Sequence, residues 1–104
     1  MSQEKELIVE TIDEIRNTVE LFYQQKQKQA LNRLEAVIGK ITIAVDTLFA
    51  YNQANDEFEM DEEKLRDSLK ECMGALEDSD FILMADILQY DFAEYMEELT
   101  KKMN

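Results

Sequence analysis

The near absence of turn-forming residues is the feature that most restricts what this chain can fold into. Its 104 residues include no proline and only two glycines, Gly39 and Gly74. Sheet proteins need a turn about every 8–12 residues, and glycine and proline commonly form those turns. Good helix formers, among them Glu, Lys, Gln, Leu and Ala, dominate instead. The sequence therefore predicts an all-α protein, with residues 1–104 in a single domain.

Apolar residues recur along the chain at intervals of three and four, which places them on one face of a helix. The pattern predicts four helices, at about residues 3–24, 29–52, 61–77 and 80–102. Ser2 and Asp61 are suitable N-caps for the first and third helices, and Asp78, Ser79 or Asp80 for the fourth. We therefore expect a four-helix, up-down bundle-like domain, with dimerisation as one way of completing its core.

The segment between the first two predicted helices, residues 24–29, consists of Gln and Lys alone. At 100° per residue, the apolar stripes before and after it differ in phase by roughly 80°. A turn near Gln25–Gln29 would explain the difference. One long helix, bent or shared between two chains, is the alternative, and the sequence does not decide between the two.

Acidic residues are concentrated in the second half of the chain. The formal net charge is −13, and residues 54–104 carry 16 acidic and 5 basic side chains, against 8 and 6 in residues 1–53. No Lys or Arg lies between Glu71 and Thr100. Such a surface repels nucleic acid and anionic membranes. It indicates either a basic partner or a role in solubility alone.

The chain lacks the usual residues of catalytic and metal sites. It has no histidine, which removes the commonest general base and a common metal ligand. Its one cysteine, Cys72, lies on an apolar helical face, where a buried role is expected. The acidic run at 56–63 lacks the central glycine of a calcium loop, and Glu94, Glu97 and Glu98 are typical of a solvated face. We expect no enzyme activity, no cofactor and no metal site; a metal-independent carboxylate enzyme is the opposing hypothesis.

The fourth predicted helix is apolar on two sides. One set faces the expected core: Phe81, Met84, Ala85, Leu88, Phe92, Tyr95, Met96 and Leu99. Leu83, Ile87 and Tyr90 cluster on nearly the opposite side, where a surface helix is usually polar. Either the helix is central and its own chain covers both sides, or these three residues form a dimer or partner surface. The second reading is favoured, because three helices have difficulty surrounding a fourth.

Asp86 lies beside this second apolar cluster, one helical turn before Tyr90. It can accept a hydrogen bond from Tyr90, pair with a basic residue such as Arg33 or Lys40, or stay solvated at the rim. The candidate partner or dimer surface therefore comprises four residues of the fourth helix: Leu83, Asp86, Ile87 and Tyr90.

Several features predict a cytoplasmic protein. The first ten residues, MSQEKELIVE, lack the basic start and apolar stretch of a signal peptide. No apolar run approaches the ~20 residues needed to span a bilayer. A single cysteine cannot form an internal disulfide, which fits a reducing compartment.

Residues 75–99, ALEDSDFILMADILQYDFAEYMEEL, combine an acidic turn, an aromatic residue and the run ILMADILQYD. In this they resemble the C-terminal part of small uncharacterised bacterial all-helical proteins. The resemblance implies an all-helical fold without an established activity. By analogy with small acidic helical proteins of bacterial motility gene sets, it also implies a chaperone that holds the helical end of a subunit before export.

Two functions are expected from these observations. The first is a non-enzymatic helical protein–protein interaction module, homodimeric through its fourth helix, with neither nucleic acid nor membrane as a partner. The alternative is a cytoplasmic chaperone or adaptor for an amphipathic partner helix, such as a motility or secretion subunit, which would bind in an apolar groove.

Overall fold

The computed structural model describes residues 2–103, which form the all-α, bundle-like fold that the sequence predicts. The helices are α1 (Gln3–Tyr23), α2 (Gln27–Ala54), α3 (Glu62–Glu77) and α4, which has three consecutive stretches. These stretches are α-helical at Phe81–Asp86, π-helical at Ile87–Ala93 and α-helical again at Glu94–Lys101. No strand occurs within residues 2–103.

Three of the helices begin at residues that the sequence offers as N-caps, Asp80 being one of three candidates for α4. The side chains of Ser2, Asp61 and Asp80 each accept a hydrogen bond from the backbone N–H three residues later, at 3.1, 3.2 and 3.1 Å. Each bond satisfies an N–H group that has no partner within its own helix. The helix α2 follows Lys26, whose side chain makes no such bond, so its start is the least apparent from sequence.

The helix α1 ends before α2 begins, so the two are separate helices joined by a turn and not one long helix. Gln25 has a φ of 62° in this turn, and Ser79 has a φ of 56° in the turn that follows α3. In both turns the N–H of the next residue bonds to the carbonyl five residues before it, at 2.9 and 2.8 Å. This motif ends a helix by placing one residue in the left-handed conformation, which glycine usually supplies.

The helix α4 lies between α1 and α3, and α2 packs along α1. The C-terminal end of α2 also reaches the start of α3. Asn52 Nδ2 donates to Glu62 Oε2 at 3.1 Å, and the Arg66 guanidinium lies 5.1 Å from the centroid of the Phe49 ring. All four helices contribute to one cluster of buried apolar side chains.

The buried side chains of α4 have different helical phases before and after the middle of the π-helical stretch. The first group comprises Met84, Ala85, Ile87 and Leu88, and the second comprises Phe92, Ala93, Met96, Leu99 and Thr100. At 100° per residue, the mean directions of the two groups differ by about 100°, which is the rotation of one residue. A π turn accommodates one extra residue, and the Glu94 N–H accordingly bonds five residues back, to the Gln89 carbonyl. The π-helical stretch therefore lets both groups face the core.

Candidate interaction surface

The sequence assigns four residues of α4 to one surface, and the structure exposes only part of that set. Leu83 is 47% exposed and Tyr90 is 58% exposed, while Asp86 is half-buried. Ile87 is only 6% exposed and belongs to the core cluster. Ile87 is therefore a core residue in this structure and is not part of the exposed surface.

The π-helical stretch explains why Ile87 is buried. A single helical wheel drawn through all of α4 averages two half-helices whose buried sides differ by one residue's rotation. The core direction averaged over the whole helix is therefore about 50° farther from Ile87 than the core direction of the first buried group alone. In addition, α4 has α1 on one side and α3 on another, which widens its buried face. The interpretation of α4 as a central helix is thus correct for Ile87, whereas Leu83 and Tyr90 remain uncovered.

One further apolar residue joins the exposed ones. Ile82 is 52% exposed and lies four residues before Asp86, so the two side chains share a helical face. We refer to Ile82, Leu83, Asp86 and Tyr90 as the α4 strip. Sequence patterning missed Ile82 because it fits neither apolar stripe of the single wheel. The available signal was the consecutive run of Phe, Ile and Leu at 81–83, which one helical face cannot bury.

A tyrosine of α1 holds the carboxylate of the α4 strip. The Tyr23 hydroxyl, at the end of α1, donates a hydrogen bond to Asp86 Oδ1. Burial raises the pKa of Tyr23, and the hydrogen bond and negative charge of Asp86 raise it further. Tyr90 and Glu20 also lie close enough to raise the pKa of Tyr23. Tyr23 therefore stays protonated and remains a donor to Asp86 throughout the neutral range.

The sequence offered Tyr90, Arg33 and Lys40 as partners of Asp86. Among the residues that the structure describes, the hydrogen bond to Asp86 comes instead from Tyr23. Lys40 pairs with a carboxylate of α1 at 3.5 Å. No local pattern indicates the observed contact, because its two residues are 63 positions apart.

The α4 strip continues into a cleft at one end of the bundle. The cleft has a volume of about 510 Å³ and is bordered by the two turns that contain left-handed residues. Its lining comprises Phe22, Gln25, Gln27, Ser79, Asp80, Phe81 and Ile82. The rings of Phe22 and Phe81 stack with their centroids 5.9 Å apart. Because Ile82 belongs to both the cleft and the strip, the two form one continuous surface.

The surface around the strip and the cleft is acidic. Asp80 lines the cleft and Asp86 lies in the strip. Residues 72–99 contain eight acidic and no basic side chains. Of these eight, only Glu97 forms an ion pair within the described part of the chain, with Arg16 of α1. That hydrogen-bonded contact lowers the pKa of Glu97.

The remaining candidates for chemistry do not converge on one place. Cys72 is buried, and burial raises the pKa of its thiol to about 11, so it stays protonated near neutral pH. Glu94 and Glu98 are exposed, whereas Glu97 is engaged by Arg16. Across residues 2–103, no three Cys, Asp or Glu side chains are placed to hold a metal ion.

The fold and the surface define a class of protein: an all-α, bundle-like chain with a partly exposed apolar strip on its fourth helix. Over residues 1–102 the sequence matches the family model of a domain of unknown function, DUF8042, and the chain belongs to this family. No curated protein and no solved structure matches the chain. Within residues 2–103, none of the helices is both long and apolar enough to traverse a bilayer.

Proposed function

We propose that this chain is a non-enzymatic protein–protein interaction module that binds its partner through the α4 strip. The observation that carries the proposal is the exposure of Ile82, Leu83 and Tyr90 on one helix, where each keeps about half of its surface in contact with water. Single exposed apolar residues are ordinary, but a group of them on one face commonly marks an interface. The π-helical stretch supports the proposal, since such stretches often occur at functional sites.

Covering the strip would stabilise a complex. Full burial of one large apolar side chain contributes about 1.5–3 kcal/mol. Since Ile82, Leu83 and Tyr90 are each about half exposed, a partner that covers all three gains on the order of 3 kcal/mol before the costs of association. Such a gain alone does not hold two proteins together, so contacts in the cleft or with the acidic groups must add to it.

A second copy of the chain and a different protein are the two occupants to consider. In a two-fold symmetric dimer the same patch meets itself. Pairing two α4 strips would bring two Asp86 carboxylates towards each other, and residues 72–99 contain no basic side chain to compensate them. Like charges that face each other disfavour such a dimer. The homodimer expected from sequence therefore has less support than a different partner.

The finer parts of the proposal rest on the sequence. We place the protein in the bacterial cytoplasm, with a helical segment of another protein, such as a motility or secretion subunit, as its partner. The lack of histidine and the protonated state of Cys72 support a role without catalysis.

Site-specific photo-crosslinking in the native host tests the proposal. A photoreactive amino acid is placed at Leu83, at Tyr90 and, as a matched control, at Ile43 of α2, which is an isolated apolar residue 56% exposed. We expect one discrete adduct from positions 83 and 90 and none from position 43. Mass spectrometry of the adduct distinguishes a second copy from another protein. No adduct at 83 and 90, or equal labelling at 43, would overturn the proposal.

A further inference from the structure

We infer that the partner of the α4 strip is a basic amphipathic helix, which places an apolar side chain in the adjoining cleft and Lys or Arg side chains against the acids around it. The inference rests on the proposed function and adds the chemistry of the partner. It is carried by three observations: the charge of the surface, its shape, and the secondary structure that surrounds it.

The charge of the surface calls for cations from the partner. Residues 72–99 supply eight carboxylates and no basic side chain, and seven of the eight form no ion pair within the described part of the chain. Asp80 and Asp86 lie directly on the continuous surface of cleft and strip, and Glu20 lies beside Tyr23 at its edge. Two basic residues adjoin the cleft lining in sequence, Lys26 and Lys28 on either side of Gln27, and neither belongs to the lining itself. A basic partner therefore meets little competition from cations of this chain.

The shape of the surface fits a helix. Leu83 and Tyr90 are seven residues apart, which corresponds to about 10 Å along the axis of α4. A partner helix that packs along α4 presents apolar side chains at the same interval, at its own positions i, i+3 or i+4, and i+7. An extended peptide normally binds by pairing with the edge of a sheet, and residues 2–103 contain no strand to offer one.

A different protein fits this surface better than a second copy does. Another copy that presents its own α4 strip brings further carboxylates, and its residues 72–99 offer no cation in return. Nucleic acid is disfavoured by the same charges, since its phosphates repel them. An amphipathic helix that carries Lys or Arg beside its apolar stripe complements both the apolar and the acidic parts of the surface.

Binding of three synthetic helical peptides to the full chain tests the inference. The peptides share one apolar stripe and differ only at their polar positions, which are Lys, Gln or Glu. Fluorescence anisotropy measures each affinity at low and at high salt. We expect the Lys peptide to bind about tenfold or more tightly than the Gln peptide at low salt, and the Glu peptide to bind most weakly. High salt should reduce the advantage of the Lys peptide.

Two pairs of variants show whether binding occurs at the proposed surface. Leu83→Gln should weaken the Lys peptide about fivefold or more, whereas Ile43→Gln should change its affinity less than about twofold. Asp86→Asn should weaken the Lys peptide more than the Gln peptide, and Glu35→Gln, an exposed acid of α2, serves as its control. Gln is a good helix former, so Leu83→Gln and Ile43→Gln should both leave their helices intact.

The outcomes separate the inference from the proposed function. If the Gln peptide binds as tightly as the Lys peptide and Leu83→Gln weakens both, the strip is an interface but its partner is not basic. If the Lys peptide binds and none of the four variants matters, the attraction is a nonspecific effect of net charge and the inference fails. Absence of Lys-peptide binding also overturns it, while the crosslinking experiment still judges the proposed function on its own.

Discussion

The hydroxyl of Tyr23 donates a hydrogen bond to Oδ1 of Asp86 at 2.5 Å, and so joins the end of α1 to the first α-helical stretch of α4. The acceptor is charged and the donor is partly desolvated, both of which strengthen a hydrogen bond. The contact fixes the carboxylate of the α4 strip in position. It also gives the strip a polar edge that belongs to a different helix.

Removal of either partner should lower the free energy of unfolding by a similar amount. We expect Tyr23→Phe and Asp86→Asn each to cost about 1 kcal/mol, because the pair is partly open to solvent. The double variant should cost less than the sum, with a coupling energy of about 0.5–1 kcal/mol. Urea unfolding of the four proteins measures this. Strict additivity would show that the two residues do not interact in solution.

The same contact predicts a shift in the alkaline titration of the tyrosines. The pKa of Tyr23 is higher in the folded state than in the unfolded chain. The contribution of protonated Tyr23 to the free energy of unfolding is therefore complete below the pKa of an unfolded tyrosine, and it is lost as pH rises from there towards the folded pKa. Tyrosinate absorbance should therefore show one tyrosine that titrates above the ordinary pH range of the phenol group. Asp86→Asn should move that titration to lower pH without restoring it fully, because burial is the larger cause. Asp13→Asn, which alters an exposed acid of α1, should leave it unchanged.

The two left-handed turn residues are places where glycine should stabilise the protein. Gln25 and Ser79 have φ values of 62° and 56°, a conformation that costs a residue with a Cβ about 1–2 kcal/mol. Part of this gain is offset by the greater freedom of glycine in the unfolded chain. We expect Gln25→Gly and Ser79→Gly each to raise the free energy of unfolding by about 0.5–1 kcal/mol. Ala36→Gly, at an exposed position inside α2, should lower it by about 1 kcal/mol.

Neighbouring substitutions in α4 should separate core from surface. Ile87→Glu places a carboxylate at a site that is 6% exposed, and burying an unpaired charge costs several kcal/mol, so the variant should lose its folded structure. Leu83→Glu alters a half-exposed side chain and should change stability by less than about 1 kcal/mol. Circular dichroism during heating compares the two. A stable Ile87→Glu variant would contradict the burial of Ile87.

The π-helical stretch should tolerate the loss of one residue. Deletion of Gln89 removes the extra residue and lets α4 continue as a regular α-helix, with its buried groups still facing the core. Deletion of Asn17, an exposed residue of α1, falls in a regular α-helix with no extra residue to remove. It rotates the buried residues that follow it by about 100°. We expect the first variant to unfold cooperatively on heating and the second to be unfolded. Two unfolded variants would show that the π turn is not a simple insertion.

The helices of this protein were predictable because strong local rules fix them. Periodic apolar residues give the first three helices their buried faces. The N-caps Ser2 and Asp61 mark where two helices begin, and Asp80 is one of three adjacent candidates for a third. The turns were less apparent. Gln25 and Ser79 occupy positions where glycine is usual, so the sequence carries no signal of the left-handed conformation.

The candidate surface was only partly predictable, for two physical reasons. The burial of Ile87 depends on a π turn, which changes the register of a helix without any characteristic residue. The bond between Tyr23 and Asp86 depends on how α1 and α4 pack, and periodicity within one helix contains no information about it. Leu83 and Tyr90 were assigned correctly as exposed because both lie well away from the core direction in either register.

The position of α4 between α1 and α3 sets the order in which the nascent chain can become stable. A ribosome synthesises α1, α2 and α3 before the helix that contacts two of them. Until α4 emerges, the apolar faces of α1 and α3 that it covers stay open to water and to other proteins. Completion of this bundle consequently waits for α4, which is translated after the helices that it packs against.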